Sequence, residues 1–396
     1  MPSRLAAHFQ SLNSFLLRHQ DLWRPRPFTH RHLPWEHQHP ELGHWLRRRS
    51  LADAETAHHQ PALLREAPAP FPTLAAEALA LSQVETLFCA PPQDYAEPVA
   101  VPGRKWQQIQ AFSGHLQFDQ APQHWLDWCA GKGHLGHHLA SNGTALTCLE
   151  RDEALVSAGQ LLARRSLPMA RHLHQDVMAE DAARHLDPSI TPVALHACGD
   201  LHVRLLQLAV RQGCRQLAIA PCCYNRTAGD SYRPLSTAGH TSTLRLSRDE
   251  LGLPLSETVT AGARVRRQRD LSMARRLSFD LLQRQLRNID EYLNTPSLPT
   301  GWLNKSCADY CRELAALKNL PDPGEQDWPA LEASGWQRLA EVRNLELVRG
   351  LFRRPLELWL VLDRALFLED QGFQVRLGHF CPSELTPRNL LLIAER

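Results

Sequence analysis

From residue 124 the chain alternates short apolar runs with amphipathic stretches of helical length. HWLDWCA reads as a buried strand, GKG as a turn, and HLGHHLASNG as a helix closed by Gly143. ALTCLERD is the next strand and EALVSAGQLLARRSL the next helix. ARHLHQDV, PVALHACGD and CRQLAIAPCCY follow as strands, with EDAARHLD and LHVRLLQLAVRQG as helices between them. Helices of this length between apolar strands are the crossovers of a parallel sheet. The pattern returns at the end of the chain. RPLELWLVLDRALFLEDQG is a helix closed by Gly372, and FQVRLGHF and NLLLIAER are the strands of a hairpin. Together these segments predict a seven-stranded α/β sheet whose final strand is antiparallel.

Two stretches depart from that alternation. Residues 1–100 carry helix-like segments near 3–20, 40–57 and 73–88, separated by WRPRPF and EAPAPFP. Residues 226–350 show no clear strand. In LSFDLLQRQLRNIDEYLN apolar residues recur at 277, 281, 282, 286, 289 and 293, a helical period. The predicted organisation is a helical N-terminal region over 1–100, expected to serve substrate binding, and a sheet domain over 101–225 and 351–396. A helical, arginine-rich insert over 226–350 follows the fifth strand and divides that domain.

Composition narrows the class. At 43% hydrophobic and 22% charged residues, the chain has the make-up of a globular protein. No apolar run is long enough to span a bilayer, and the N-terminus lacks the unbroken apolar stretch of a secretory signal. The ten cysteines form no CxxC pair, which predicts reduced thiols and a cytoplasmic protein. The histidines His30, His32, His37, His39, His44, His58 and His59 match no common ligand spacing, so no metal is expected.

Candidate chemistry begins at Asp127-Trp-Cys-Ala-Gly-Lys-Gly133, where a strand turns into a helix. Glycines there admit a ligand close to backbone N–H groups at the positive end of a helix. An NAD enzyme uses such a turn for pyrophosphate. An S-adenosylmethionine enzyme uses it for the amino-acid moiety, with Asp127 placed to meet the ammonium group. Glu150, ending the second strand, can accept both ribose hydroxyls. Asp176-Val177, after the third, can meet the adenine amino group and ring face. The closing antiparallel hairpin favours S-adenosylmethionine over NAD.

The run DWCAGKGHLGHHLA, followed by LHACGD and APCCY, resembles a methyltransferase family with a DxGxGKGHLS-type first motif. Similar stretches occur in the methyltransferase domain of the glutathione-S-transferase C-terminal-domain-containing protein and in tRNA 2′-O-methyltransferases with a PCCH-type motif. GRKWQQI (Arg104, Lys105, Gln108) and TPRN (Pro387, Arg388, Asn389) resemble the family's flanking motifs. The likeness spans roughly 101–226 and 355–396, and the first glycine of the family's pattern is Cys129 here. It implies a Rossmann-like class I methyltransferase fold with S-adenosylmethionine as cofactor. The implied binding set is Lys105, Asp127, Cys129, Ala130, Gly131, Gly133, Leu135, Glu150, Arg151, Asp176, Val177, His196 and Gly199.

The methyl acceptor belongs beyond the fourth and fifth strands. The fourth ends in His196-Ala-Cys-Gly-Asp200, where Asp200 is either a polar participant in transfer or the cap of the next helix. The fifth ends in Pro221-Cys222-Cys223-Tyr224. Tyr224 is expected to stack on a base beside packed thiols. Alternatively one cysteine attacks a pyrimidine before C5 methylation, or the pair binds metal with His196 or Cys198. Residues 226–288 hold twelve arginines against six acids, densest in ARVRRQRDLSMARR. With Arg264, Arg266, Arg267 and Arg269 on phosphates, the expected activity is direct methyl transfer to structured RNA, either tRNA or ribosomal RNA. A protein side chain is the alternative acceptor, and a non-catalytic binding module the alternative class.

Overall fold

The computed structural model describes residues 3–90, 101–164, 167, 169–256 and 262–396. Part of the end of the helix expected over 153–167, the boundary at residue 100, and residues 257–261 of the insert lie outside the described residues. The chain divides into two compact units. One is built from Met1–Phe15, Leu81–Leu255 and Pro355–Arg396, the other from Leu16–Ala80 and Ser256–Arg354.

The first unit is built on one sheet of eight strands. These are β1 (Glu85–Thr86), β2 (His124–Trp128), β3 (Ala145–Glu150), β4 (Ala170–His174), β5 (Ile190–Cys198), β6 (Gln216–Cys222), β7 (Gln374–His379) and β8 (Leu390–Glu395). Their order is β1-β7-β8-β6-β5-β2-β3-β4. Strand β8 runs antiparallel to β6 and β7, and every other pair is parallel. The expected five-strand run and terminal hairpin are present, but the sheet has eight strands rather than seven. The additional strand comes from the segment read as helix over 73–88. The helix Phe71–Leu81 stops early, and Glu85 and Thr86 pair with Gly378 and His379 at the sheet edge. Two residues are too few to leave an alternation in the sequence. Likewise EDAARHLD forms the short 3-10 turn Glu180–His185 rather than an α-helix.

Every residue of β6 is buried, as are Leu390 to Ala394 of β8, which is why both read as continuous apolar runs. Trp106, Ile109 and Phe112, on one face of the helix Gly103–Gly114, share a core with Leu135, Val193, Ala218 and Ile393. The chain leaves β2 toward β3 and β4, then crosses back to β5 on the opposite side. That reversal opens a crevice at the C-terminal ends of β2 and β5. Residues near the N-terminus join this unit through Asn13, whose Oδ1 accepts Ser242 Oγ at 2.6 Å and Trp359 Nε1 at 3.1 Å.

The second unit is helical. Its helices Ala263–Arg287 and Trp328–Gly350 pack along each other, with Ala274, Leu277, Leu339 and Val342 in the seam. Buried Asn344 donates Nδ2 to the carbonyls of Arg49 and Ser50, at 3.1 and 3.0 Å. The helical pattern read through residue 294 ends at Arg287, because Asn288 turns left-handed with φ 51°. No helix among the described residues is long and apolar enough to cross a membrane.

Candidate functional site

The turn after β2 reverses the chain through three left-handed residues, Cys129 (φ 60°), Gly131 (φ 58°) and Gly133 (φ 74°). Its own amides fasten it: Ala130 N donates to Leu149 O at 3.0 Å and Gly133 N to Ala130 O at 2.9 Å. A Cβ placed on Gly131 would meet no atom within 4 Å, so that side of the turn is open. On Gly133 it would lie 2.4 Å from His172 Cε1, so this glycine is required by packing. Cys129 holds a conformation that favours glycine, at the position where the resembled family has one.

Three carboxylates follow one another along the C-terminal ends of β2, β3 and β4. Asp127 is buried, and its Oδ2 accepts Gly136 N at 2.9 Å, so it grips the start of the helix His134–Leu139. Burial pushes its carboxyl up to about 7, against the Gly136 bond and the charge of Lys105. Glu150 accepts Gly131 N at 2.8 Å through Oε2, and Arg151 N and Asp152 N at 2.8 and 3.0 Å through Oε1. Asp176 is half-exposed, with Oδ1 accepting Met178 N at 2.9 Å and Oδ2 4.0 Å from the Arg151 guanidinium. Lys105 is exposed, whereas Leu135 and Val177 are buried. An open left-handed turn, backbone-held carboxylates and a half-exposed aspartate thus line up along the strand ends, a set of acceptors complementary to amine and hydroxyl donors.

At the ends of β5 and β6 the register breaks between Leu195 and Cys198, and His196 takes φ 64°. Burial lowers the His196 imidazole to about 4, so it is neutral, with Nε2 2.9 Å from Gln108 Oε1. Gln108 also donates Nε2 to Leu385 O at 3.2 Å, and Arg104 donates to Glu384 O at 3.1 Å. The flanking motif GRKWQQI and the residues just before TPRN are thus brought to this edge. Gly199 (φ 53°) donates its N–H to Cys222 O at 2.9 Å, and a Cβ there would sit 1.9 Å from Arg226 O. Asp200 donates its backbone N–H to Arg226 O at 3.0 Å and accepts Ala228 N on Oδ2 at 2.8 Å. Its side chain does not cap its own helix, whose N-cap is Gly199; it pins the loop that follows β6. That role of the 226–228 loop was not legible in the sequence, although the glycine of HACGD is its trace.

Two expectations for PCCY change. Tyr224 is buried at 2% exposure, its hydroxyl 3.4 Å from Pro221 O and the Arg364 guanidinium over its ring, so it cannot stack on a substrate base. Cys222 is buried at 3% exposure, and its neighbouring thiols push its own pKa far up, which is the opposite of an activated nucleophile. Cys223 is half-buried, and hydrogen bonds from Cys198 and Cys222, with Arg226 and Arg388 nearby, hold its thiol well below the usual range.

In the second unit, Arg264, Arg266 and Arg267 are exposed and Arg269 is half-buried. Later arginines of the same run have internal partners. Arg275 pairs with Glu332 at 3.1 Å, and Arg284 with Asp280 and Asp290 at 2.9 and 2.8 Å. Arg276 donates to Pro296 O at 2.9 Å. The open basic face is therefore the first turns of the helix Ala263–Arg287. A cleft there is lined by His58, His59, Arg266, Arg269, Arg343 and Glu55. Burial and then the charges of Arg353 and Arg343 lower the His58 imidazole to about 3.

Residues 104–230 match the family model of a methyltransferase domain. Similar solved structures include coclaurine N-methyltransferase bound to N-methylheliamine and SAH, at 14% identity over 87% of this chain and 89% of that one, with TM-score 0.26. The 23S rRNA methyltransferase ErmE is 14% identical over 60% of this chain and 97% of its own, with TM-score 0.24. The plantazolicin methyltransferase BpumL, in complex with a triazolic desmethylPZN analog and SAH, is 12% identical with TM-score 0.24 over 43% of this chain. The chain spans about three fifths of BpumL's length, 59%. Residues 104–230 thus resemble a methyltransferase domain, and S-adenosylmethionine is the cofactor that this match indicates.

Proposed function

We propose that this chain transfers a methyl group from S-adenosylmethionine directly to structured RNA, either tRNA or ribosomal RNA. The bound cofactor supplies the methyl group on a sulfonium sulfur, which becomes a neutral thioether on transfer. Gly131, Glu150 and Asp176 bind and orient it. At the acceptor end, Asp200 is held by the Ala228 amide through Oδ2, and its Oδ1 serves to take the proton that the acceptor oxygen or nitrogen gives up. No covalent step is needed, and the buried Cys222 thiol suits none.

The observation that carries the RNA reading is the exposed face of Arg264, Arg266 and Arg267 above the Arg266–Arg269–Arg343 cleft. Asp270 pairs with Arg343 and Arg269, and Glu55 lines the cleft, so the charge offered to a polyanion is that of the exposed Arg264, Arg266 and Arg267, and arginine suits phosphate oxygens in particular. Few aromatics accompany them, which favours folded RNA over unpaired bases. The test is transfer of labelled methyl from S-adenosylmethionine to total tRNA, ribosomal RNA and ribosomal proteins, followed by nucleoside mass spectrometry. Label in an RNA nucleoside is expected. Label confined to protein would replace this reading with side-chain methylation, and binding of cofactor without any transfer would make the chain a binding module.

A further inference from the structure

The thiols at the ends of β5 and β6 form a cluster that methyl transfer leaves unused. Cys198 and Cys222 are direct register partners across the parallel pair, with Sγ atoms 3.7 Å apart. Cys223 follows in the left-handed region at φ 49°, a conformation that costs a side-chain-bearing residue about 1 kcal/mol. It places a third Sγ so that all three lie within 4.8 Å of one another. Cys198 and Cys223 are half-buried, so the cluster has an entry path, while Cys222 closes its inner side.

The spacing excludes a disulfide and leaves thiol packing or a bridging metal. A disulfide holds sulfurs about 2.05 Å apart. Tetrahedral zinc, with Zn–S near 2.3 Å, holds its sulfurs about 3.8 Å apart. The Cys198–Cys222 pair, at 3.7 Å, is in S–H···S contact and also fits the zinc spacing, and it is the third thiol, within 4.8 Å of both, that makes a ligand set. Three soft sulfur donors select zinc over hard cations, and three protein ligands leave a fourth position for an exogenous donor. The other described cluster, His137, Cys148 and His172, is committed internally, since the two Nε2 atoms lie 2.8 Å apart and share a hydrogen bond.

We propose that Cys198, Cys222 and Cys223 bind one zinc ion through three thiolates, at the acceptor end of the methyltransferase sheet. On binding, every S–H bond still present among the three cysteines breaks, three Zn–S bonds form and the released protons pass to solvent, with no change of oxidation state. The product carries one net negative charge, which Arg226 and Arg388, the cations acting on Cys223, offset. The sequence left this as one alternative among three for the PCCY pair, with His196 or Cys198 as the further ligand; the strand register selects Cys198, far from the other two along the chain.

The experiment uses the full chain, stripped with a chelator and reloaded with zinc or cobalt(II). One equivalent of zinc is expected to return. The cobalt form is expected to show thiolate-to-metal charge-transfer bands and tetrahedral d–d bands. Cys198→Ser, Cys222→Ser and Cys223→Ser should each weaken zinc at least about a hundredfold, whereas Cys89→Ser, at an exposed thiol, should leave it unchanged. Cofactor affinity reports folding independently, and if a serine variant fails to fold, the wild-type spectrum decides alone. Absence of charge-transfer bands in wild type, equal zinc affinity in the triple serine variant, or a Cys198–Cys222 disulfide in metal-free native protein would overturn the site.

Discussion

Glu150 holds the amide of Gly131 at 2.8 Å, tying the end of β3 to the turn that follows β2. Its other oxygen takes the amides of Arg151 and Asp152. A carboxylate offers about four acceptor sites, so three backbone bonds leave one for a ligand hydroxyl. In the proposed binding mode, reaching both ribose hydroxyls requires release of one of these amides, so Glu150 would shape the turn as well as contact the ligand. In Glu150→Gln an NH2 group must face one of these amides. Glu150→Gln and Glu150→Ala are both expected to weaken S-adenosylmethionine at least about tenfold in calorimetric titration. An unchanged dissociation constant in both removes Glu150 from the site.

Asp127 makes stability depend on pH. Its folded pKa, about 7, lies above the ordinary 3.8 because burial disfavours the charged form. The fold therefore favours the protonated acid. That contribution is complete below the unfolded pKa and is lost as pH rises through the folded one. Asp127→Asn keeps an oxygen for the Gly136 amide and does not titrate. Wild type should lose stability relative to this variant as pH climbs from about 4 to about 7, with a constant difference above that. Urea midpoints across the window check it. If Asp127 also faces the cofactor's ammonium, wild-type affinity rises through the same window and that of Asp127→Asn stays flat. A stability difference independent of pH would sink the assignment of a raised pKa.

The two glycines Gly131 and Gly199 separate backbone conformation from space. Both have positive φ, but an added Cβ is unobstructed at Gly131 and collides with Arg226 O at Gly199. Gly131→Ala therefore carries only the left-handed penalty, about 1–2 kcal/mol. Gly199→Ala must also displace the loop that Asp200 pins, so about 3 kcal/mol or more is expected. Denaturant midpoints give the order, and a Gly131→Ala variant less stable than Gly199→Ala contradicts it.

Strands β2, β3, β5 and β6 were legible because each is a largely apolar run short enough to be a strand and bounded by turn residues, whereas β4, ARHLH, was legible only from its place in the alternation. The Asp127–Gly133 turn was legible for a related reason, since its glycines are spaced as a strand-to-helix phosphate-type turn requires. What escaped is what depends on partners distant in sequence. Strand β1 exists only through its pairing with β7, and its two residues carry no period of their own. Tyr224 follows a strand end and reads as exposed, yet Arg364 covers its ring from a helix far along the chain. The carboxylate of Asp200 suits both of its expected roles, and only the Ala228 amide shows what it holds. The arginine run was counted as charge, without the acids that neutralise part of it.

That last point separates two kinds of arginine on one helix. Arg284 and Asp280 each expose 5% of their side chains and pair at 2.9 Å. Removing one partner strands a buried charge, so Arg284→Ala should cost about 3–5 kcal/mol of stability. Arg264, Arg266 and Arg267 stand in solvent, and neutralising exposed groups shifts stability by about 0.5 kcal/mol or less at each site. If they meet phosphates, their loss appears instead in the salt dependence of RNA binding, whose log–log slope falls by roughly 0.7–0.9 for each contact removed. The combined variant Arg264→Gln, Arg266→Gln, Arg267→Gln and Arg269→Gln should therefore bind RNA weakly with a flattened slope, while keeping wild-type cofactor affinity. Titrations of a folded tRNA at several salt concentrations measure that slope directly. A slope equal to wild type in the fourfold variant would make this face an ordinary solvated surface and leave the RNA reading without its support.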